Sequence, residues 1–388
     1  MGGADEESPS SLSLAEARAL FPALERVAYF ATNAQGLLPT TARDRASAAL
    51  ERLCSRGFGG ALELEAEVET VRAKLARLIG ADPHEIGFVR NTGEGLCYAA
   101  EALPLSPGDE VLCFAGEYRS VVHAFQGAAP RGISVRVAPA EDGRVTAALL
   151  RSELRERTRA VALSWVRYDT GARADLASLS AVTRAAGTFL VVDAIQGLGA
   201  LPLDVRSAGV DVLCAGAHKW LLGLPGTGVL YLSRELLPRL VPSHLGVGSM
   251  ADATRAHLAT DPYLPIPASG ARRVEEGARN TLGIAALGAS LDLLQRVGPT
   301  AIRDQIRRVT DRLCAGIIAA GGRVRSPRGG EEWSGIVLLE PPPGVDAAAL
   351  AGRMLRERIA IGAREGALWA GAQFYTTQQD ADRVLALL

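Results

Sequence analysis

In this 388-residue chain, the residues best placed for covalent chemistry are an aspartate and a lysine 26 positions apart, Asp193 and Lys219, with Gln196 and His218 beside them. They lie in FLVVDAIQGLGALPLDVRSAGVDVLCAGAHKWLLGLPGTGVLYLS, residues 189–233, where Asp193 ends one apolar run and Lys219 follows the next. A carboxylate directly after four apolar residues is costly to bury without a cationic partner, and a protonated pyridine nitrogen is such a partner. A lysine in a glycine-rich loop, partly withdrawn from water, is more readily neutral and so better able to form an imine. The pair points to pyridoxal 5′-phosphate (PLP) held as a Schiff base on Lys219, with Asp193 keeping the ring nitrogen charged so that the ring draws electrons. In that reading Gln196 reaches the ring's 3-hydroxyl and His218 holds its phosphate. Taken singly, such an aspartate is as readily a helix cap and such a lysine a solvated turn residue, so the combination carries the argument.

A second constellation is EIGFVRNTGEGLCYAAEAL at 85–103, which reads as strand, turn and helix. Gly93 and Gly95 let backbone N–H groups approach an anion at a helix start, and Thr92 adds a hydroxyl. Thr92, Gly93 and Glu94 are therefore candidate phosphate-binding residues, with a plain N-cap by Asn91 or Thr92 as the alternative.

The elements that must position these residues follow from the hydrophobic pattern. Apolar runs at 85–89, 110–114, 133–138, 160–166, 189–194, 210–216 and 228–233 alternate with helix-compatible segments such as 65–80 and 173–186. That alternation predicts an α/β fold with a mainly parallel seven-stranded sheet between helices, whose ligands gather at the strands' carboxyl ends. The texture loses periodicity between about 242 and 282, and a long amphipathic segment follows at 282–297. We expect a tail over 1–12, a large domain over 13–255 whose segment 13–40 lies near the site, and a smaller α+β domain over 256–388. That smaller domain is expected to hold helices at 299–320 and 377–388 and strands at 335–340 and 358–362.

Composition narrows the partners. The formal net charge is −1, from 42 basic and 43 acidic side chains, which gives no field to gather nucleic acid or an anionic membrane. Five scattered cysteines with no CxxC pair and five dispersed histidines argue against a zinc site or a disulfide framework. The acidic start MGGADEESPSS lacks a signal peptide's basic flank and apolar stretch, and no apolar span is long enough for a membrane helix, so the reading is cytoplasmic.

The motifs DAIQ, AGAHKW and GVLYL resemble the class V aminotransferase group of fold-type I PLP enzymes, which includes cysteine desulfurases, isopenicillin N epimerase-like proteins, kynureninases and cyst(e)ine C–S lyases. The resemblance runs from about residue 21 to 388 and implies a homodimer with its site at the subunit interface and a small-molecule amino substrate. It implies that Tyr118, in GEYRSVV, stacks on the PLP ring and that Tyr168, in SWVRYDTGARADL, lies against the cofactor. Arg119 stands where desulfurases usually have a histidine. In RRVEEGARNTLG the family's cross-interface threonine becomes Ala278, leaving Asn280, backbone N–H groups or Arg279 to replace it. The opening LFPALERVAYFATNAQGLLPTTA is similar to an N-terminal segment that closes over the site, which makes Asn33 and Gln35 candidate substrate contacts or, alternatively, parts of a turn.

Two departures bear on the reaction. Desulfurases carry a nucleophilic cysteine on a loop before the last motif, and there is none between 355 and 377 here. The same stretch resembles the epimerase-like "VRGGRLRVSPHFYNT", but the arginine that clamps a substrate carboxylate falls at Trp369. Either another arginine (Arg364, Arg173 or Arg273) takes the carboxylate, a less charged group stacks on Trp369, or the alignment slips there. The expected reaction is β-elimination of the C–S lyase type; aminotransfer, epimerisation and a non-catalytic PLP-fold binding protein stand as alternatives.

Overall fold

The computed structural model describes residues 11–140, 143–242, 244–251 and 266–388. The strands of its first half are β1 (Ala28–Tyr29), β2 (Ile86–Val89), β3 (Glu110–Phe114), β4 (Ser134–Ala138), β5 (Thr158–Ser164), β6 (Phe189–Asp193), β7 (Val212–Gly216) and β8 (Gly228–Leu232). All but β1 join one seven-stranded sheet in the order β2-β8-β7-β6-β5-β3-β4. Strand β8 runs antiparallel to β2 and β7, and the other neighbours are parallel. Successive strand residues feed opposite cores: Leu112, Phe114, Leu190, Val192 and Leu213 face one, Val111, Cys113, Val191, Val212 and Cys214 the other. Burial on both faces is why these strands read as unbroken apolar runs rather than alternating ones.

The helices are α1 (Leu14–Arg18), α2 (Thr40–Ile79), α3 (Thr92–Ala102), α4 (Arg119–Gln126), α5 (Ala147–Glu153), α6 (Leu176–Ala185), α7 (Val205–Ala208), α8 (Thr281–Val297), α9 (Pro299–Ala319), α10 (Ala347–Arg356) and α11 (Gln378–Leu385). The helix expected over 65–80 is the second half of the 40-residue α2, which kinks at Gly57 (φ 48, ψ −119). Helix α8 packs along α2: a Cβ on Gly288 would come within 2.7 Å of Val71, and Lys74 pairs with Asp292 at 2.7 Å.

Strands β9 (Arg323–Val324), β10 (Ile336–Glu340), β12 (Gly362–Arg364) and β13 (Ala367–Gly371) form a separate antiparallel sheet in the order β12-β13-β10-β9. Its core draws on α9, α10 and α11. The expected strand over 358–362 is split into β11 (Ile359–Ala360) and β12. Strand β1 pairs in parallel with β11, so the N-terminal segment touches the C-terminal unit before it reaches the main sheet. The expected boundary at 255/256 lies outside the described residues, as do residues 1–10 of the expected tail; Leu12 already donates its N–H to the Arg296 carbonyl at 3.0 Å. No helix among the described residues is long and apolar enough to cross a membrane.

Candidate active site

Three strand ends bring Asp193 and Lys219 together. Asp193 closes β6, in register with Ser164 of β5 on one side and Cys214 of β7 on the other. It is 3% exposed, and its Oδ1 accepts the Ile195 N–H at 2.9 Å. Burial drives its carboxyl up to about 7, against the pull of that hydrogen bond and of the Lys219 charge. Lys219 follows β7, half-buried; burial pushes its ammonium down while Asp193 opposes the shift. His218 is lowered by burial and by Lys219, and its ring lies on Gly216, where a Cβ would stand 3.1 Å from it. The loop is fixed by its backbone, Ala217 to Thr227 and Gly223 to Ala217, each at 2.8 Å.

The turn into α3 lies beside this loop. Asn91 caps the helix, its Oδ1 accepting the Glu94 N–H at 2.9 Å. Thr92 Oγ1 accepts the Gly216 N–H at 2.8 Å, which ties the helix start to the end of β7 and leaves the hydroxyl hydrogen to donate. Gly95 is needed for packing rather than for an anion, since a Cβ there would sit 3.0 Å from Cys214 Sγ and its N–H bonds Asn91 O. The Glu94 carboxylate turns back onto Arg90, with Nε to Oε1 at 2.6 Å. An anion at this cup therefore meets Thr92, the start of the helix at Gly93 and the positive end of its dipole, rather than the Glu94 side chain.

Gln196 is buried and bonded at both ends: Nε2 donates to the Asn33 carbonyl at 3.0 Å, and Oε1 accepts the Trp220 indole N–H at 2.8 Å. One amide hydrogen remains. The N-terminal segment continues over the lysine loop, with Gly36 N–H donating to His218 O at 2.8 Å; a Cβ on Gly36 would fall 2.0 Å from Lys219 O. Asn33 is 1% exposed, yet neither its Oδ1 nor its Nδ2 has a hydrogen-bond partner. Gln35 is exposed, its Nε2 donating to Gly36 O at 3.3 Å.

The remaining candidates form an aromatic wall. Tyr168 meets Tyr118 edge-on, ring centroids 5.2 Å apart, and the Arg364 guanidinium carbon lies over the Tyr168 ring, 4.6 Å from its centroid. Arg364 Nη2 donates to the Tyr168 hydroxyl at 3.0 Å and its Nε to Glu365 at 3.1 Å. Trp369 Nε1 donates to the Tyr168 carbonyl at 2.9 Å. Tyr118 is 48% exposed at the N-cap of α4. The other arginines are committed elsewhere: Arg173 binds Glu331, Arg273 donates to Ala268 O and Leu237 O, and Arg279 pairs with Glu275 and Glu65. Asn280 caps α8 through Gly283 N and donates to Gly226 O and Thr227 Oγ1.

Sequence reasoning passed over Glu117 and Arg167. Glu117 is buried, accepts the Ser164 N–H at 3.1 Å and the Ser164 hydroxyl, and faces Arg167 Nη1 at 3.7 Å. Burial raises its carboxyl, and its charge in turn raises Asp193. The signal was an acid directly before Tyr118, in a motif read only for its ring. A groove of about 780 Å³ shares Glu117 and Ser164 with this region but is not lined by Asp193, His218 or Lys219.

Residues 44–383 match the family model for class-V aminotransferases. The chain is 31% identical to isopenicillin N epimerase of Streptomyces clavuligerus, over 91% of this chain and 92% of that protein. It is 26% identical to the uncharacterized aminotransferase YcbU of Bacillus subtilis, over 94% of each. Among solved structures, the cystine C–S lyase C-DES in complex with its product cysteine persulfide superposes with a TM-score of 0.85 at 26% identity, over 94% of this chain and 98% of that one. The chain belongs to the class-V aminotransferase family, and with it to the PLP-dependent enzymes of fold-type I. The non-catalytic alternative is set aside with that assignment.

Proposed function

We propose that Lys219 holds PLP and that the enzyme carries out β-elimination on an amino acid bearing a leaving group such as a thiolate on Cβ. One observation supports the lysine above the rest: the chain has only two, and Lys74 is paired with Asp292 at 2.7 Å between α2 and α8. The residues around Lys219 fit the cofactor chemically. The buried Asp193 carboxyl makes no ion pair among the described residues, with Lys219 the positive charge that acts on it, His218 and Thr92 offer donors beside a helix start, and Gln196 keeps one amide hydrogen free. Bound there, PLP would withdraw electrons from the substrate's Cα and so weaken its C–H bond.

The chain's own groups supply the rest. Asp193, buried beside Lys219, would hold positive charge at the ring nitrogen. Lys219, its ammonium disfavoured by burial, would take the Cα proton at Nζ. Arg364 is the one of the three candidate arginines that faces the Tyr168–Trp369 wall, and it would take the substrate's acidic group. No cysteine lies between 355 and 377 to accept sulfur, so the leaving group would depart to solvent rather than onto the protein. A homodimer, with Ala278–Asn280 near the neighbour's phosphate, belongs to the same proposal.

The test is to incubate the cofactor-loaded enzyme with cystine and cysteine S-conjugates, following pyruvate, ammonia and the released sulfur leaving group, which is free cysteine persulfide from cystine and a thiol from the S-conjugates. The proposal expects all three together and no persulfide on the protein. Epimerisation is the second reading, favoured by the 31% identical epimerase; loss of optical activity without pyruvate would replace the first reading with it. A new keto acid that keeps the substrate's side chain would point to aminotransfer.

A further inference from the structure

Asn33 is the most unusual polar side chain in the site. Its amide is covered on all sides, 1% exposed, and both polar atoms lack partners. A buried amide left unpaired is costly, so such groups are rare unless something else completes them. Its surroundings show that the position is built for it. Gly371 leaves the space, since a Cβ there would stand 2.6 Å from Asn33 Oδ1, and Gln196 holds the Asn33 carbonyl at 3.0 Å. Gly371 and Trp369 are two apart on β13 and so share a face. Three residues on, Gly36 rests on the backbone of His218 and Lys219. Asn33 thus sits where the lysine loop, Gln196 and the Trp369 face of β13 meet.

We infer that Asn33 is a specificity-determining residue whose amide pairs with a carboxamide of the substrate, so that the enzyme takes amino acids carrying an amide in addition to their acidic group. The inference rests on the substrate site proposed above and adds to it the chemical class. A carboxamide presents a donor and an acceptor side by side, which matches the free Nδ2 and Oδ1 together. A second carboxylate has only acceptors and would leave Oδ1 facing negative charge. Nor is there a second cation for one here: Arg364 is already taken by the substrate's acidic group in the proposal above, and burial disfavours the charge on Lys219. Because the amide is covered in the free chain, pairing requires residues 33–36 to shift on the lysine loop, which couples recognition to the catalytic amine.

The test titrates cofactor-loaded enzyme with two matched pairs, L-asparagine against L-aspartate and L-glutamine against L-glutamate, reading binding from the change in the cofactor's visible absorption. The wild type should prefer the better-fitting amide over its acid by at least about tenfold. Asn33→Leu, similar in size, and Asn33→Ala should bring that ratio close to one, with thermal midpoints no lower than the wild type because no hydrogen bond is lost. Equal affinity for amide and acid in the wild type, or a preference that survives in both variants, overturns the inference while leaving the proposed reaction standing. A loss of midpoint by several degrees in Asn33→Leu also overturns it, since that marks a packing role. If no amino acid, including cysteine S-conjugates, perturbs the cofactor band of the wild type, the reading of the site itself falls and takes the inference with it.

Discussion

Replacing Asp193 with asparagine should move stability and cofactor affinity in opposite directions. In the cofactor-free chain the Asp193 carboxyl is raised from the usual 3.8 to about 7, chiefly by burial. A folded-state pKa above the unfolded one means that the folded chain keeps a proton that the unfolded chain releases. Stability therefore falls as pH climbs from about 4 to about 7, by about 4 kcal/mol if the whole shift is realised. Asparagine removes that loss. Its oxygen still accepts the Ile195 N–H, while its new NH2 group is buried without a set partner at about 1–3 kcal/mol, leaving a net gain of about 1–3 kcal/mol above pH 7. Thermal melts of cofactor-free protein from pH 4 to 8 should show a falling midpoint for the wild type and a shallower fall for Asp193→Asn, whose midpoint is higher by a few degrees at pH 8. With PLP, the variant forfeits a charge-assisted hydrogen bond to the ring nitrogen of about 1.5–3 kcal/mol, so affinity should fall by about 10- to 150-fold. A variant less stable than wild type at pH 8, or one that binds PLP equally well, would refute the reasoning.

Other perturbations follow from the same contacts. Arg364→Ala should raise KM for an anionic amino acid by about ten- to a hundredfold, with a smaller change in kcat, whereas Arg173→Ala should leave KM unchanged because that guanidinium is bound to Glu331; steady-state kinetics on one substrate checks both. Gly36→Ala forces a methyl toward Lys219 O, where its Cβ would stand only 2.0 Å away, so it should cost about 1–3 kcal/mol in denaturant unfolding and weaken cofactor retention. Arg72→Met strips one of two guanidiniums from Glu275, whose side chain is 2% exposed and which keeps Arg279 at 2.9 Å, and should lower unfolding free energy by about 1–3 kcal/mol.

The main sheet was legible because most of its strands are short apolar runs, some of them ended by a polar residue or a glycine such as Asp193 or Gly216. Lys219 and Asp193 were legible because an ionisable group straight after such a run needs a reason to be there. Helix α2 was only half read, since Gly57, Gly59 and Gly60 interrupt the pattern that the helix crosses with a kink. The 358–362 run concealed a break between two short strands, and β13 was treated as a motif without being assigned as a strand. What separates Arg364 from Arg173 and Arg273 is the company each keeps, Tyr168 in one case and Glu331 or backbone carbonyls in the others. Those partners are distant in sequence and leave no local trace. The unpaired state of Asn33 is likewise a property of the packed chain, visible only once Gly371 is seen to make room for it.

The central claim is tested most directly by reducing PLP-loaded protein with borohydride and mapping the adduct by mass spectrometry. With two lysines in the chain, the two candidate sites fall on different peptides: the pyridoxyl phosphate mass should appear on the peptide containing Lys219 and vanish in Lys219→Ala. An adduct on Lys74, or none on a protein that has taken up PLP, would contradict the account.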